Sequence, residues 1–218
     1  MAGRSGCVAW PSVTGTTSGE LIRPYRPGDD DALYDICLRT GDSGQDATHR
    51  YTDPRLIGEL WVGPYVRFEP ELAFVIEESA QVTGYILGAR DTRAFEAACE
   101  QHWWPPLRRR YPPDAFPPDS AEAPLVNRIH RPGRAGDDVV AAYPSHLHID
   151  LLPAAQGRGL GRALMERLLT ALRAAGSPAV HLGVGAANER AVGFYTRLGF
   201  EILKRPTGAF VMGRSTTM

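Results

Sequence analysis

LLPAAQGRGLGRALMERLL, residues 151–169, sets three glycines two apart (Gly157, Gly159 and Gly161) at the mouth of a leucine-spaced helix. A glycine costs a helix roughly 0.5–1 kcal/mol relative to alanine, so this cluster points to something lying close against the backbone. A helix N-terminus carries unpaired N–H groups and about half a positive charge. Glycines, lacking Cβ, let a bulky anion come down onto it. Arg158 and Arg162 add charge. Phosphate or pyrophosphate fits; the competing reading is that the glycines merely permit tight strand–helix packing. Two common phosphate motifs do not match. A Walker loop ends in Gly-Lys-Ser/Thr, and Gly161 is followed by Arg162. The dinucleotide fingerprint G-x-G-x-x-G needs an acid about twenty residues on; the spacing here is G-x-G-x-G, with no acid around Val180. A nucleotide-binding oxidoreductase is disfavoured.

Upstream of the loop, Ser145 to Leu152 alternates, with Leu147, Ile149 and Leu151 on one face and His146, His148 and Asp150 on the other. Downstream, Leu160, Leu164, Leu168, Ala171 and Leu172 make one helical stripe. Residues 179–184 read as a strand. Asn188 can cap a helix that carries Ala191, Tyr195 and Leu198 and stops at Gly199. Residues 200–203 and 209–212 form a last strand pair. In the first half, residues 20–26 are strand-like and 29–40 helical. A second helix spans 54–68 with a break near Gly63-Pro64, a hairpin covers 72–77 and 82–90, and 92–99 is short and helical. Residues 104–137, with proline pairs at 105–106, 112–113 and 117–118, read as an irregular insert, the kind of long loop that serves as a lid or binding segment. Trp103 and Trp104 border it, as a hydrophobic anchor or as part of that lid. The sum is an α/β domain around a mixed sheet over residues 19–218, preceded by an aperiodic, Gly/Ser/Thr-rich arm at 1–18.

The net charge of −1 predicts no nucleic-acid partner. No apolar run approaches 18 residues, so no membrane span is expected. Cys7, Cys37 and Cys99 have neither disulfide nor metal spacing, which together with the lack of a signal peptide points to the reducing cytoplasm.

Three separate segments together resemble the Gcn5-related N-acetyltransferases, the GNAT family. The first is Q-x-x-G-x-G after a strand, met by Gln156, Gly159 and Gly161. The second is Asn188 after the next strand. The third is F-Y-x-x-x-G-F, here Phe194-Tyr195-Thr196-Arg197-Leu198-Gly199-Phe200. The resemblance spans about residues 20–214. Within it, RTGDSGQDATH (39–49), LIG (56–58) and HIDLLP (148–153) resemble the acetyltransferase-like C-terminal domain of eukaryotic O-GlcNAcases. The chain reads as a stand-alone, bacterial-type relative that keeps an intact glycine loop.

What the resemblance implies is specific. The fold is α/β: a mostly antiparallel, twisted mixed sheet flanked by helices, with a splay between two central parallel strands. The co-substrate is acetyl-CoA, and no metal is required. Its pyrophosphate sits on the amides of Gly157 to Gly161, with Gln156, Arg158, Leu160, Arg162 and Asn188 around it. Its pantetheine lies in the splay, and the peptide N–H near Leu151 or Leu152 holds the thioester oxyanion. Tyr195 donates a proton to the leaving thiolate; otherwise it is an aromatic filling the core. An amine acceptor is mostly protonated at neutral pH, so a base is needed. Asp150 ranks first because it is next to Leu151. His148, the intrinsically better-matched base, lies about 6–7 Å farther along the strand, and a water chain is the third candidate. The His146–His148–Asp150 face lines the acceptor cleft, with a metal site and plain structural hydrogen bonding as rivals. Asp42, Asp46 and His49 either line that cleft from the other side or form a solvated acidic turn. The expected partners are a small-molecule amine or a protein or peptide acceptor, and a homodimer is left open. The expected reaction is direct attack in a ternary complex, without an acyl-cysteine. The alternative is a module that binds acetyl-CoA or an acceptor with little or no turnover.

Overall fold

The computed structural model describes residues 21–217. The arm expected at 1–18, Glu20 and Cys7 lie outside them. Seven strands form one sheet: β1 (Ile22–Pro24), β2 (Ala73–Glu78), β3 (Gln81–Ala89), β4 (Ser145–Leu151), β5 (Ala179–Gly185), β6 (Glu201–Lys204) and β7 (Ala209–Ser215), in the order β1-β2-β3-β4-β5-β7-β6. All neighbours run antiparallel except β4 and β5. The β2–β3 hairpin closes through Ser79 and Ala80, both at positive φ, the backbone of a two-residue turn that follows the sheet's twist.

Alternation fixes which layer each strand face meets. In the β3–β4 pair, Tyr85 stands opposite Asp150 and Leu87 opposite His148, while Ile86 stands opposite Ile149. Tyr85, Leu87 and Ala89 pack toward α1 (Asp30–Thr40), α2 (Leu56–Trp61) and α3 (Gly63–Phe68). Ile86 and Leu147 pack on the other face against α8 (Leu160–Ala174) and α9 (Glu189–Arg197). The expected stripe holds the second layer: Leu160, Leu164, Leu168 and Leu172 are all at most 1% exposed, each burial worth about 1.5–3 kcal/mol. The break between α2 and α3 falls at Val62, ahead of Gly63-Pro64.

Residues 104–137 differ from the expectation of irregular chain. α4 (Thr92–Ala98) runs on through a π-helical turn at Cys99–Trp103 into α5 (Trp104–Arg110), followed by α6 (Ala123–His130) and α7 (Asp137–Ala142). Proline breaks a helix only beyond its first turn, where an N–H and space for the ring are needed. Pro124 opens α6 and marks a helix start, whereas Pro105 and Pro106 follow the π-helical turn inside one continuous run, where the change in winding accommodates them. The pairs at 112–113 and 117–118 do sit in the non-helical stretch 111–122. Trp103 is an anchor: its indole N–H donates to Glu59 O at 2.9 Å and its ring meets Phe68. Trp104 is buried. Among the described residues no helix is long and apolar enough to cross a membrane.

Candidate active site

β4 and β5 pair only at Ser145–Val180 and His146–His181. Beyond these residues the strands part, and the gap opens into a continuous cleft of about 2530 Å³. The β3 ladder decides which backbone groups face the gap. Leu152 N–H is spent on Thr83 O at 2.9 Å. Antiparallel pairs alternate between bonded and unbonded, so Leu151, opposite Gly84, directs its N–H and C=O away from β3 and toward β5. Of the two amides expected to hold an oxyanion, Leu151 is the one free to do so. The Leu152 side chain packs with the α1–α3 core, outside the cleft.

The glycine loop meets this gap at its open end. Gly157 and Gly159 have φ of 74° and 79°, and Gly159 is the N-cap of α8. A Cβ on either would touch nothing within 4 Å; the positive φ demands glycine, and the space over the backbone is open. The first helical bond is Ala163 N–H to Gly159 O, so the amides of Leu160, Gly161 and Arg162 precede the ladder. The Leu160 side chain is buried in the core, leaving only its amide for a ligand. Gly161 is different: its Cβ would come within 3.3 Å of the Phe194 ring, so here close packing is the reason. Gln156 works as a clasp, donating Nε2–H to Leu151 O at 2.6 Å and accepting from Arg190. Arg158 does not supply free charge to the loop. It forms a double ion pair with Glu78, at 2.7 and 2.9 Å. Arg162 stays close to the loop, its nearest acid being Glu166 at 3.9 Å.

On the other face, His148 and Asp150 come together. His148 Nε2 lies 3.0 Å from Asp150 Oδ2. The Tyr85 hydroxyl sits at 2.7 Å from the same oxygen, donating to it, and at 3.1 Å from His148 Nε2. The two base candidates, separated along the strand by the pleat, are therefore one hydrogen-bonded group. Cys37 joins them: the ligating atoms of Cys37, His148 and Asp150 all lie within 4.8 Å of one another. The spacing of Cys37 along the chain gives no sign of this third metal-ligand type. Cys37 is buried, and burial pushes its thiol well above the ordinary range, with the Asp150 charge adding to this. His146, third on this face, is structural. Its Nδ1 meets Thr92 Oγ1 at 2.9 Å, and because that hydroxyl donates to Pro144 O at 2.7 Å, Nδ1 carries the proton. Burial pushes its pKa down to about 3.

Tyr195 is 8% exposed and lines the cleft from α9. Burial raises its pKa, as does the Asp150 charge, so it is a phenol at neutral pH. Asn188 caps α9, Oδ1 accepting from Ala191 N at 3.1 Å. Its Nδ2 faces Gly44 across the cleft. At the turn after α1, the cleft is lined by Gly41, Ser43, Gly44 and Gln45, while the three side chains expected there are not among its walls. Asp42 takes Arg50 at 2.6 Å, Asp46 caps the Thr48 N–H at 2.8 Å, and His49 is exposed. The two aspartates thus hold the turn. The residues that sequence reasoning missed are Tyr85, Cys37 and Trp61, whose ring stacks over His148 at 6.1 Å.

Comparisons with known proteins agree with this geometry. A family model described as the acetyltransferase (GNAT) family matches residues 136–200. The chain is 29% identical over 211 residues to the protein O-GlcNAcase of Rattus norvegicus, covering 94% of this chain but only 23% of that protein. It is 29% identical over 191 residues to a mycothiol acetyltransferase of Frankia alni, covering 86% of this chain and 44% of that protein. The chain thus spans about a quarter of the O-GlcNAcase length and under half of the mycothiol enzyme. Among solved structures, that of SsHAT shares 47% identity, covers 90% of this chain and 98% of its own, and superposes with a TM-score of 0.85. YncA of Salmonella typhimurium, solved with its cofactor acetyl-CoA, shares the fold at 18% identity and a TM-score of 0.51, over 90% of this chain and 94% of its own. The chain belongs to the GNAT family of acetyl-CoA-dependent acyltransferases.

Proposed function

We propose that residues 19–218 act as one N-acetyltransferase domain that moves the acetyl group of acetyl-CoA to an amine by direct attack in a ternary complex. The observation that carries this reading is the placement of the splay. It has an unpaired Leu151 N–H on one wall, the glycine-loop amides at its mouth, Tyr195 on the α9 side, and the His148–Asp150 pair on the α1 side.

Each group has a task its position suits. The amides of Gly157 to Arg162 take the pyrophosphate. Leu151 N–H accepts the charge that develops on the thioester oxygen; one such donor is worth roughly 2.7–4 kcal/mol. The Asp150–His148 pair draws the ammonium in and takes its proton as the new C–N bond forms. Tyr195 gives its phenolic proton to the sulfur as the C–S bond breaks. Cys37, protonated and buried, takes no covalent part. This scheme uses no metal. The free, buried Cys37 and Cys99 suit a reducing cytoplasm.

The test is thiol release from acetyl-CoA against a panel of amines, with a no-amine control. Release that depends on amine, with no burst in its absence, is expected. A burst of one equivalent without amine would point to an acyl-enzyme. Acetyl-CoA binding with no release on any amine would favour the binding-module alternative.

A further inference from the structure

On the acceptor side, α4, α6, α7 and the segment joining the last two present six charged side chains to the cleft or its π-helical rim: Arg93, Glu96, Glu100, Arg128, Arg134 and Asp138. Five have a partner of opposite sign. Arg93 pairs with Glu96 at 2.6 Å and with Asp137 at 2.5 Å, Arg134 with Asp137 at 3.2 Å, Glu100 with Arg108 at 2.7 Å, and Asp138 with Lys204 at 2.5 Å. Arg128 has no acidic partner among the described residues. Its guanidinium carbon lies over the Trp61 ring, 4.5 Å from the centroid. The surrounding protein holds its pKa below that of a free guanidinium through desolvation, and no carboxylate opposes this.

Arg128 is exposed and lines the cleft, so its donors stand open to a ligand. A guanidinium presents five N–H donors in a planar fork that fits carboxylates and phosphates. The contact with Trp61 is a cation–π one and uses none of these N–H donors in an ion pair, which leaves them for a partner. Trp61 also stacks over His148, with centroids 6.1 Å apart and planes 27° off parallel. Trp61 is therefore a neighbour common to Arg128 and His148. The guanidinium stands no farther from the base pair than those two spacings laid end to end. An acceptor whose nitrogen reaches Asp150 would place a group a few bonds away beside Arg128.

We infer that the acceptor is an amine bearing a compact anionic group a few bonds from the attacking nitrogen, and that Arg128, held by Trp61, binds that anion. This rests on the acetyltransfer reading and narrows its substrate class. A neutral amine leaves the guanidinium to water; an anionic one gives it charge-assisted hydrogen bonds.

The experiment compares glycine, β-alanine and γ-aminobutyrate with their amides, and phosphoethanolamine as the phosphate arm, by thiol release at saturating acetyl-CoA. Stabilisation by acetyl-CoA is measured in parallel as a check on folding and co-substrate binding. At least one anionic amine should exceed its neutral counterpart at least tenfold in kcat/KM, and the better arm tells carboxylate from phosphate. In R128M that ratio should fall to near one, and R128K should restore part of it. A role in packing alone would lower stability without moving the ratio. Amides used as well as or better than acids, a ratio that survives R128M, or no release with any anionic amine from protein that acetyl-CoA stabilises would each overturn the inference while leaving the family reading standing. Absence of stabilisation by acetyl-CoA would count against the acetyltransfer reading itself.

Discussion

Asp150 Oδ2 receives the Tyr85 hydroxyl and lies at hydrogen-bonding distance from His148 Nε2, so a change at either member of the pair acts on both. Asp150→Asn and His148→Ala should each lower kcat at least tenfold, in the range of general-base loss. The double variant should be no worse than the weaker single, because groups acting as a unit are not additive. Losses that multiply would show two independent bases. Tyr195→Phe keeps the ring against Phe194 and Phe200 and removes the proton, so kcat should fall about ten- to a thousandfold with little change in acetyl-CoA affinity. A loss of stability alone would mean a core aromatic. Cys37, its thiol held protonated by burial, should resist iodoacetamide in the folded protein at neutral pH, and Cys37→Ala should still turn over. Rapid labelling with loss of activity would reopen an acyl-cysteine route. At this scale the sequence was only half legible. Alternation along β4 put His148 and Asp150 on one face. Nothing along that strand announced that Tyr85, from β3, and Cys37, from α1, would meet them, because contacts across a sheet and between layers leave no local spacing.

The elements whose periodicity repeats were readable: the alternation of β4, the leucine stripe of α8 and the capped, glycine-ended α9 stand close to where the pattern put them. The helices of the insert were not, because a proline can begin a helix, as Pro124 does, or follow a π-helical turn, as Pro105 and Pro106 do, and composition does not tell these from a break. Two predictions belong to this scale. Gly159→Val puts a β-branched residue at φ 79° and a side chain into the open space over the loop. It should abolish acetyl-CoA binding by calorimetry while far-UV circular dichroism stays native; unchanged affinity would remove the loop from the site. The second concerns the β4–β5 junction, where His146 and His181 face each other with ring centroids 5.8 Å apart. Burial lowers both pKa values, that of His146 to about 3. The unfolded chain takes up these protons near pH 6.5 while the native chain does not. The contribution of each is therefore whole above pH 6.5 and is lost as pH falls below it, for His146 down to about 3, at up to about 1.4 kcal/mol per pH unit per group. Denaturant unfolding of His146→Gln between pH 7 and 4 should show a shallower loss than the parent; parallel curves would place the proton linkage elsewhere.

For the whole molecule, the sheet order and the single parallel junction turn three local features into one site. β4 ends where it leaves β5, α8 begins where β4 ends, and α9 returns beside both. The combination of glycine loop, Asn188 and F-Y-x-x-x-G-F made the fold legible because those motifs belong to the strand–helix junctions that create the splay. The acceptor side was less legible: its walls come from α1 to α7, chain that carries no such motif. The central claim, that the cleft is an acetyl-CoA site, is tested most directly by thermal unfolding with acetyl-CoA, ATP and NADH side by side. Stabilisation scales as RT ln(1 + [L]/Kd), about 2.7 kcal/mol at a hundredfold excess over Kd. Tm should rise saturably with acetyl-CoA, a rise that Gly159→Val loses, and by nothing of that size with ATP or NADH; no rise with acetyl-CoA, or an equal one with either nucleotide, would mean that the cleft is not an acetyl-CoA site.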